Sequence, residues 1–278
     1  MRKILLTVRS IPYIIYDFIK FHKNRGSTGA MTDNIATMNF EIMIQDAGPD
    51  SKAKVNSLFN IMQSCAINHS RKVASPLALS NIIEKNFTWV YNRFYLEVDK
   101  YPRLYDTVTC ETWRPKMENN SLYREFLLMD ADKSILGRGI SSIVMIDMTN
   151  RKPVALPETL KDVLKTDRQS VIGFKDTRPM FEGDFAFSEV VKARYDDIDI
   201  NHHMNNSAYA RIFFENGYRL VQKGTQLKSI DIFFRGEIVY DNELECESGF
   251  MNNPGIIYHR LFNRTKNKVA AISVTEWV

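Results

Sequence analysis

Apolar and polar residues alternate regularly along most of the chain from Met38 onward. The run MNFEIMIQ has the period of a β-strand, and AGPDS then interrupts it with residues that favour a turn and a helix cap. Apolar residues at helical spacing follow and predict a helix from about Ser51 to His69 with one buried face. Four runs rich in aromatic and β-branched residues come next and predict strands: FTWVYNRFYLEV, YDTVTCETW, SLYREFLLMDAD and LGRGISSIVMIDM.

The same order then repeats. FAFSEVVKARY predicts a strand, DDIDINHHMNN a loop, and the apolar positions from Ala208 to Phe213 a second amphipathic helix that ends near Gly217. Four more strands are predicted in SIDIFFRGEIVY, ELECESGFM, IIYHRLFN and VAAISVTEWV. A helix followed by several strands, used twice, predicts an α+β fold in which each half covers one face of an antiparallel sheet with its helix. Between the halves, residues 157–166 predict a short helix and a linker.

Composition argues against a nucleic-acid-binding protein, a zinc protein and a disulfide-stabilised protein. The 278 residues carry a net charge of only +4, from 37 basic and 33 acidic side chains, which is too mild to indicate nucleic-acid binding. The cysteines, Cys65, Cys110 and Cys246, lack zinc-ligand spacing, and their odd number is a poor disulfide framework. We therefore expect a protein of the reducing cytoplasm.

Residues 1–37 do not fit the repeating pattern. The segment is apolar but interrupted by Arg9, Asp17 and Lys20, so no stable membrane span is predicted. We interpret it as an extension outside the fold. A segment that touches a membrane surface and sequence upstream of a start at Met31 or Met38 stay open as alternatives.

The loop at 196–206 is the strongest functional signal. The corresponding loop of the first half, QDAGPDSKAK, has neither His nor Asn, so the framework of strand and helix does not require this chemistry. In an extended segment Asp199, Asn201 and His203 would face the same side. An Asn can donate to a carbonyl oxygen, a His can donate or shuttle a proton, and an Asp can hold either in place. The helix that follows adds unpaired N–H groups suited to an oxyanion, and Asn205 or Asn206 would cap it.

The same loop partly imitates a calcium site. Asp197, Asp199 and Asn201 have the alternate spacing of a calcium-binding loop, but His202 and Ala208 stand where such a loop needs Gly and Glu. We therefore predict no metal, and no cofactor motif is found.

The motif Asp197-Ile-Asp199-Ile-Asn201-His-His203-Met-Asn205-Asn206, with Tyr209 and Glu215 after it, resembles the signature of the acyl-acyl carrier protein thioesterases of plant plastids and bacteria. The resemblance covers about Met38 to Val278. It implies a tandem hotdog fold, in which each unit is a long helix wrapped by an antiparallel sheet. Residues 38–167 would form a non-catalytic unit that holds the acyl chain, and residues 168–278 would form the catalytic unit.

The resemblance also implies a catalytic set of Asp199, Asn201, His203 and Glu237, the last on the strand FFRGEIVYD after the second helix. Many plant members carry a Cys directly after this Glu, but this chain has Ile238. A thiol mechanism is therefore excluded if the resemblance holds, and a carboxylate must act.

The implied activity is hydrolysis of a fatty acyl thioester on acyl carrier protein, without a cofactor. Asn205 and Asn206 are predicted to bind substrate, and Phe59 and Met62 to line the acyl tunnel, although plain core packing explains the last two equally well. Acyl carrier protein is acidic, so Arg211 is among the basic residues expected on its docking surface. Two alternatives stay open, an acyl-coenzyme A thioesterase of the same fold and a non-catalytic acyl-binding module. Homodimer formation and chain-length preference also stay open.

Overall fold

One antiparallel sheet runs through both halves of the chain. The computed structural model describes residues 34–72, 86–118, 120–156, 166, 168–175 and 179–278. The strands of the first half are β1 (Ile35–Glu41), β2 (Phe87–Val98), β3 (Thr107–Trp113), β4 (Met117–Glu118), β5 (Ser121–Met129) and β6 (Ile135–Asp147). Those of the second half are β7 (Phe187–Lys192), β8 (Leu227–Phe234), β9 (Glu243–Phe250), β10 (Ile256–Asn263) and β11 (Lys268–Trp277).

The two halves have the same strand connectivity. The sheet order is β1-β3-β5-β6-β2-β8-β11-β10-β9-β7, with the short β4 added beside β5. Read outward from the centre, β2-β6-β5-β3-β1 and β8-β11-β10-β9-β7 correspond strand for strand. The halves join where β2 pairs with β8, from Arg93 opposite Phe233 to Glu97 opposite Ser229. The duplication inferred from the sequence is therefore present in the topology.

Each half contributes one long helix to the core. Helix α1 spans Val55–Lys72 and helix α2 spans Asn206–Tyr218. The buried face of α1 lies against the sheet so closely that a Cβ on Gly139 would come within 2.6 Å of the Met62 sulfur. Burying one large apolar side chain of this kind contributes about 1.5–3 kcal/mol. A single apolar core links both helices with both halves of the sheet.

Most predicted elements are found, with shifted ends. The helix predicted from Ser51 starts at Val55, because residues 47–53 form a turn closed by a bridge between Ala47 and Ala53. Strand β1 begins at Ile35, before the predicted start at Met38. The two-residue β4 lies in a stretch predicted as a turn.

Some predictions fall outside the described part of the chain. These are the extension through residue 33 and, apart from Thr166, the short helix at 157–166. Neither helix of the described part is long and apolar enough to cross a bilayer.

Candidate active site

The segment from Asp199 to His203 forms a tight turn rather than the extended segment that we predicted. The N–H of Asp199 donates to the carbonyl of His203 at 2.8 Å, and the N–H of His202 donates to the carbonyl of Asp199 at 2.9 Å. A bridge between Ile198 and Met204 closes the turn. The Asp199 carboxylate accepts a hydrogen bond from the N–H of Asn201 at 2.8 Å, which is the local bond of an Asx-turn. His202 takes a left-handed conformation with φ of 61°.

The four predicted catalytic residues lie in two contacting pairs. The amide of Asn201 is 3.5 Å from the Asp199 carboxylate, and Asn201 is exposed. His203 Nε2 lies 3.2 Å from Oε2 of Glu237. The pKa of the buried Tyr209 phenol is raised, mainly by burial and further by the negative charges of Glu237 and Asp199. Both carboxylates therefore lie near the same phenol. The turn therefore brings both pairs to one place.

Glu237 lies in the loop after β8, not on a strand as the sequence predicted. The ladder ends because the N–H groups of Arg235 and Gly236 both donate to the carbonyl of Ala270, at 2.9 and 3.0 Å. The chain then crosses to the motif turn, where the carbonyl of Ile238 accepts the N–H of Met204 at 2.8 Å. This backbone bond sets the carboxylate of Glu237 beside the imidazole of His203.

The surroundings of Glu237 favour its ionised form. The hydrogen bond with His203 is the largest influence that lowers the pKa of Glu237, and the charges of Arg151 and Lys266 add to it against the opposing effect of burial. Arg151 Nη2 donates to Oε2 of Glu237 at 3.1 Å, from the turn that follows β6 in the first half. Glu237 is therefore a carboxylate at neutral pH. Sequence reasoning missed Arg151, because a single basic residue in a turn has no distinguishing pattern.

A residue of the first half also holds the start of helix α2. Asn205 is the N-cap of α2, and its Oδ1 accepts the N–H of Ser207 at 2.9 Å. Gln63 of α1 donates to the same Oδ1 at 3.1 Å and accepts from Nδ2 of Asn206 at 2.9 Å. Both Asn205 and Asn206, predicted to bind substrate, thus form a contact between the halves. A lone Gln on an amphipathic helix gave no signal of this role.

Asp197, at the start of the motif, is held in place by two arginines. Its buried carboxylate accepts hydrogen bonds from Arg194 and, at 2.8 Å, from Arg211. Burial opposes ionisation, but the bonds from Arg194 and the charge of Arg211 outweigh it, so the pKa of Asp197 lies below its ordinary value. Arg211 also pairs with Glu215 at 3.1 Å. Arg211 therefore belongs to the framework of the motif, and its place on a docking surface stays a prediction.

Phe59 and Met62 are fully buried in the core beneath the sheet, and the ring centroids of Phe59 and Phe94 are 4.8 Å apart. This placement agrees with plain packing, and a role in lining a tunnel stays a prediction. Cys246 is fully buried in β9, where burial raises the pKa of its thiol. In the described residues, no three His, Cys, Asp or Glu side chains lie close enough together to hold a metal ion.

Comparison with known proteins gives matches over both halves. The family models of the acyl-ACP thioesterase N-terminal and C-terminal domains match residues 33–164 and 183–278. A chloroplastic palmitoyl-acyl carrier protein thioesterase of Arabidopsis thaliana is 26% identical over 260 residues, which is 86% of this chain and 63% of the plant protein. The chain thus spans less than two thirds of that relative's length.

Solved structures agree with the fold. The crystal structure of an acyl-ACP thioesterase from Bacteroides thetaiotaomicron superposes with a TM-score of 0.77 at 22% identity, over 88% of this chain and 98% of the other. The 12:0-ACP thioesterase from Umbellularia californica gives a TM-score of 0.76 at 23% identity, over 88% and 94% of the two chains. The predicted tandem hotdog architecture is confirmed. Because the family models match most of the sequence, the chain belongs to the acyl-ACP thioesterase family.

Proposed function

We propose that this protein hydrolyses the thioester of fatty acyl-acyl carrier protein and releases a free fatty acid. The observation that carries the proposal is the contact of 3.2 Å between the ionised Glu237 and His203, which belongs to the turn that also carries Asn201 and precedes α2. Family membership supports the same reaction class. The acyl carrier protein would be the partner, and the cytoplasm the compartment, as the cysteine pattern indicates.

Glu237 would act as a general base on water. The hydrogen bonds to its carboxylate from His203 and Arg151 both involve Oε2 within the described residues. We therefore assign the water to Oε1. As Glu237 takes the proton, the water oxygen would bond to the thioester carbon, and the carbon–sulfur bond would then break. Direct attack by the carboxylate is the alternative for the same residue.

The remaining groups would stabilise charge and move protons. Asn201 is exposed and can donate to the carbonyl oxygen, while Asp199 holds its backbone and amide. Ser207 and Ala208 donate their N–H groups to Asn205, so the N–H of Asn206 would be the group at the start of α2 that adds to the stabilisation of the oxyanion. Because His203 Nε2 donates to Glu237, the imidazole fixes the carboxylate during attack and can pass a proton to the departing thiolate.

Replacement of Glu237 by Gln tests the base. We expect release of fatty acid from a panel of carrier-linked acyl chains to fall by about 100- to 10,000-fold, the usual worth of general acid–base catalysis. Glu189→Gln is a matched control, because Glu189 is a carboxylate of β7 that pairs with Arg219 at 3.2 Å. Full activity in Glu237→Gln would remove Glu237 from the mechanism.

The same panel separates the alternatives. Coenzyme A esters of equal chain length, assayed beside the carrier-linked ones, test the preference for the carrier protein. Retention of fatty acid by the wild-type protein with no hydrolysis of any ester would indicate an acyl-binding module instead of an enzyme.

A further inference from the structure

The C-terminal end of helix α1 carries a buried basic cluster that the proposed reaction does not use. His69 and Ser70 belong to the last turns of α1, Arg124 lies on β5, and Arg114 follows β3. Arg114 and Arg124 are each only 3% exposed, and His69 is not exposed at all. Two guanidinium groups are thus enclosed inside the first half of the protein.

Both arginines take neutral hydrogen-bond partners from the described residues. Arg114 Nη2 donates to the Ser70 hydroxyl at 3.1 Å, and Arg124 Nη2 donates to the same oxygen at 3.3 Å. Arg124 Nη1 lies 3.0 Å from Nδ1 of His69 and 3.2 Å from the hydroxyl of Thr112. Within the described residues, no carboxylate oxygen comes within the 4.0 Å of an ion pair with either guanidinium.

The groups left without a partner are hydrogen-bond donors. A guanidinium can only donate, so Nδ1 of His69 accepts from Arg124 and the ring hydrogen is on Nε2. Among the residues that the structure describes, no group accepts a hydrogen bond from the buried His69 Nε2 or from the buried Arg114 Nε. What the described residues do not supply to the cluster is therefore an acceptor.

The part of the chain that the structure describes also leaves the charge of the cluster uncompensated. Burial, followed by the charges of Arg124 and Arg114, lowers the pKa of His69 to about 3, so the ring is neutral. Burial and the neighbouring Arg124 lower the pKa of Arg114 to about 8. Buried charges in folded proteins are normally paired, because an unpaired charge loses its hydration and gains no attraction to an opposite charge.

We propose that Arg114, Arg124, His69 and Ser70 form a binding site for one small oxyanion, a carboxylate or a phosphate group. Two guanidinium groups and a ring N–H present the donors that such an anion accepts, and planar guanidinium groups suit both anions. The anion supplies the missing acceptor and the missing negative charge together. Water alone would supply only the acceptor.

Two sources of this chemistry are compatible with the position of the cluster. Ser70 follows Gln63 by two turns of α1, about 10 Å at the helical rise of 1.5 Å per residue. One source is a free inorganic anion. The other is a carboxylate at the far end of an acyl chain whose thioester lies at the catalytic turn, and this second source rests on the proposed function.

Anion binding by the full chain tests the site without any use of hydrolysis. Thermal unfolding and calorimetric titration are measured at constant ionic strength, with inorganic phosphate, octanedioate and octanoate as ligands and chloride as the reference ion. At ten times the dissociation constant, we expect the melting temperature to rise by about 3 °C. A response to phosphate indicates a free anion, and a stronger response to octanedioate than to octanoate and phosphate indicates a carboxylate carried by a chain.

Arg114→Met should abolish the response, and Arg264→Met should keep it, because Arg264 is a half-exposed arginine paired with Glu243 in the second half. If Arg114→Met fails to fold, Arg114→Lys keeps the charge but loses the fork, and we expect at least about 10-fold weaker binding. The proposal is overturned if wild type shows no saturable binding up to about 50 mM, far above a millimolar dissociation constant. Unchanged binding in an Arg114 variant that folds would overturn it equally.

Discussion

Arg151 lies in the first half of the chain and directly contacts the proposed base, Glu237. Replacement by Met removes the bond of 3.1 Å between Nη2 and Oε2 of Glu237 and leaves the second half unaltered. The side chains of Arg151 and Glu237 are 44% and 39% exposed, so solvent screens the pair strongly. Such pairs are worth about 0.2–1 kcal/mol. Removal of Arg151 should therefore raise the pKa of Glu237, and at a pH on the acid limb this energy corresponds to a loss of about 1.4- to 5-fold in kcat/KM.

The assay is the pH dependence of kcat/KM for one carrier-linked substrate. A general base must be ionised, so activity is lost as the pH falls through the pKa of Glu237. Arg151 lowers that pKa. The acid limb of Arg151→Met should therefore lie at higher pH than that of the wild type, and the displacement should be larger at low salt than at high salt.

Lys152→Met is the matched control, because it removes an adjacent exposed positive charge for which the described residues show no bond to Glu237. Its acid limb should stay near that of the wild type. The reasoning is refuted if Arg151→Met leaves the limb in place or moves it to lower pH, or if the two variants shift it equally.

Three further predictions follow from buried contacts. Gln63→Leu breaks both bonds to Asn205 and Asn206, so the free energy of unfolding measured in urea should fall by about 1–3 kcal/mol, and kcat should fall because the start of α2 loosens. Cys246→Ala should keep most activity, since its thiol is sealed in β9; a complete loss would restore a thiol mechanism. The lowered pKa of Asp197 adds stability that is present above the ordinary Asp pKa and is lost as the pH falls through the lowered value. Acid unfolding of Asp197→Asn should lack this component, and an unchanged pH dependence would contradict the assignment.

The sequence predicted the elements whose patterns are local. β2 and β10 have the predicted ends, because alternating aromatic and β-branched residues there stop at clear turn residues. The start of α2 was predicted as well, since an Asn before an apolar period is a cap. The strand predicted through Glu237 was wrong, because its end depends on a distant carbonyl, that of Ala270, which accepts two N–H groups.

The candidate site was predictable only where its residues share one motif. Asp199, Asn201 and His203 lie within five positions, so their types and spacing were visible, although the turn that joins them was not. Glu237 was found through a family resemblance. Gln63 and Arg151 come from the other half of the chain, and nothing in a linear pattern relates them to the proposed catalytic loop.

The pairing of β2 with β8 joins the two halves into one continuous sheet. Without its partner, each of these strands would present a bare hydrogen-bonding edge to water, and such edges promote aggregation. A substitution on either strand of this seam therefore reaches both halves. If the first half holds the acyl chain and the second half carries the catalytic residues, as proposed, selectivity and turnover should change together when residues along the shared strands are altered.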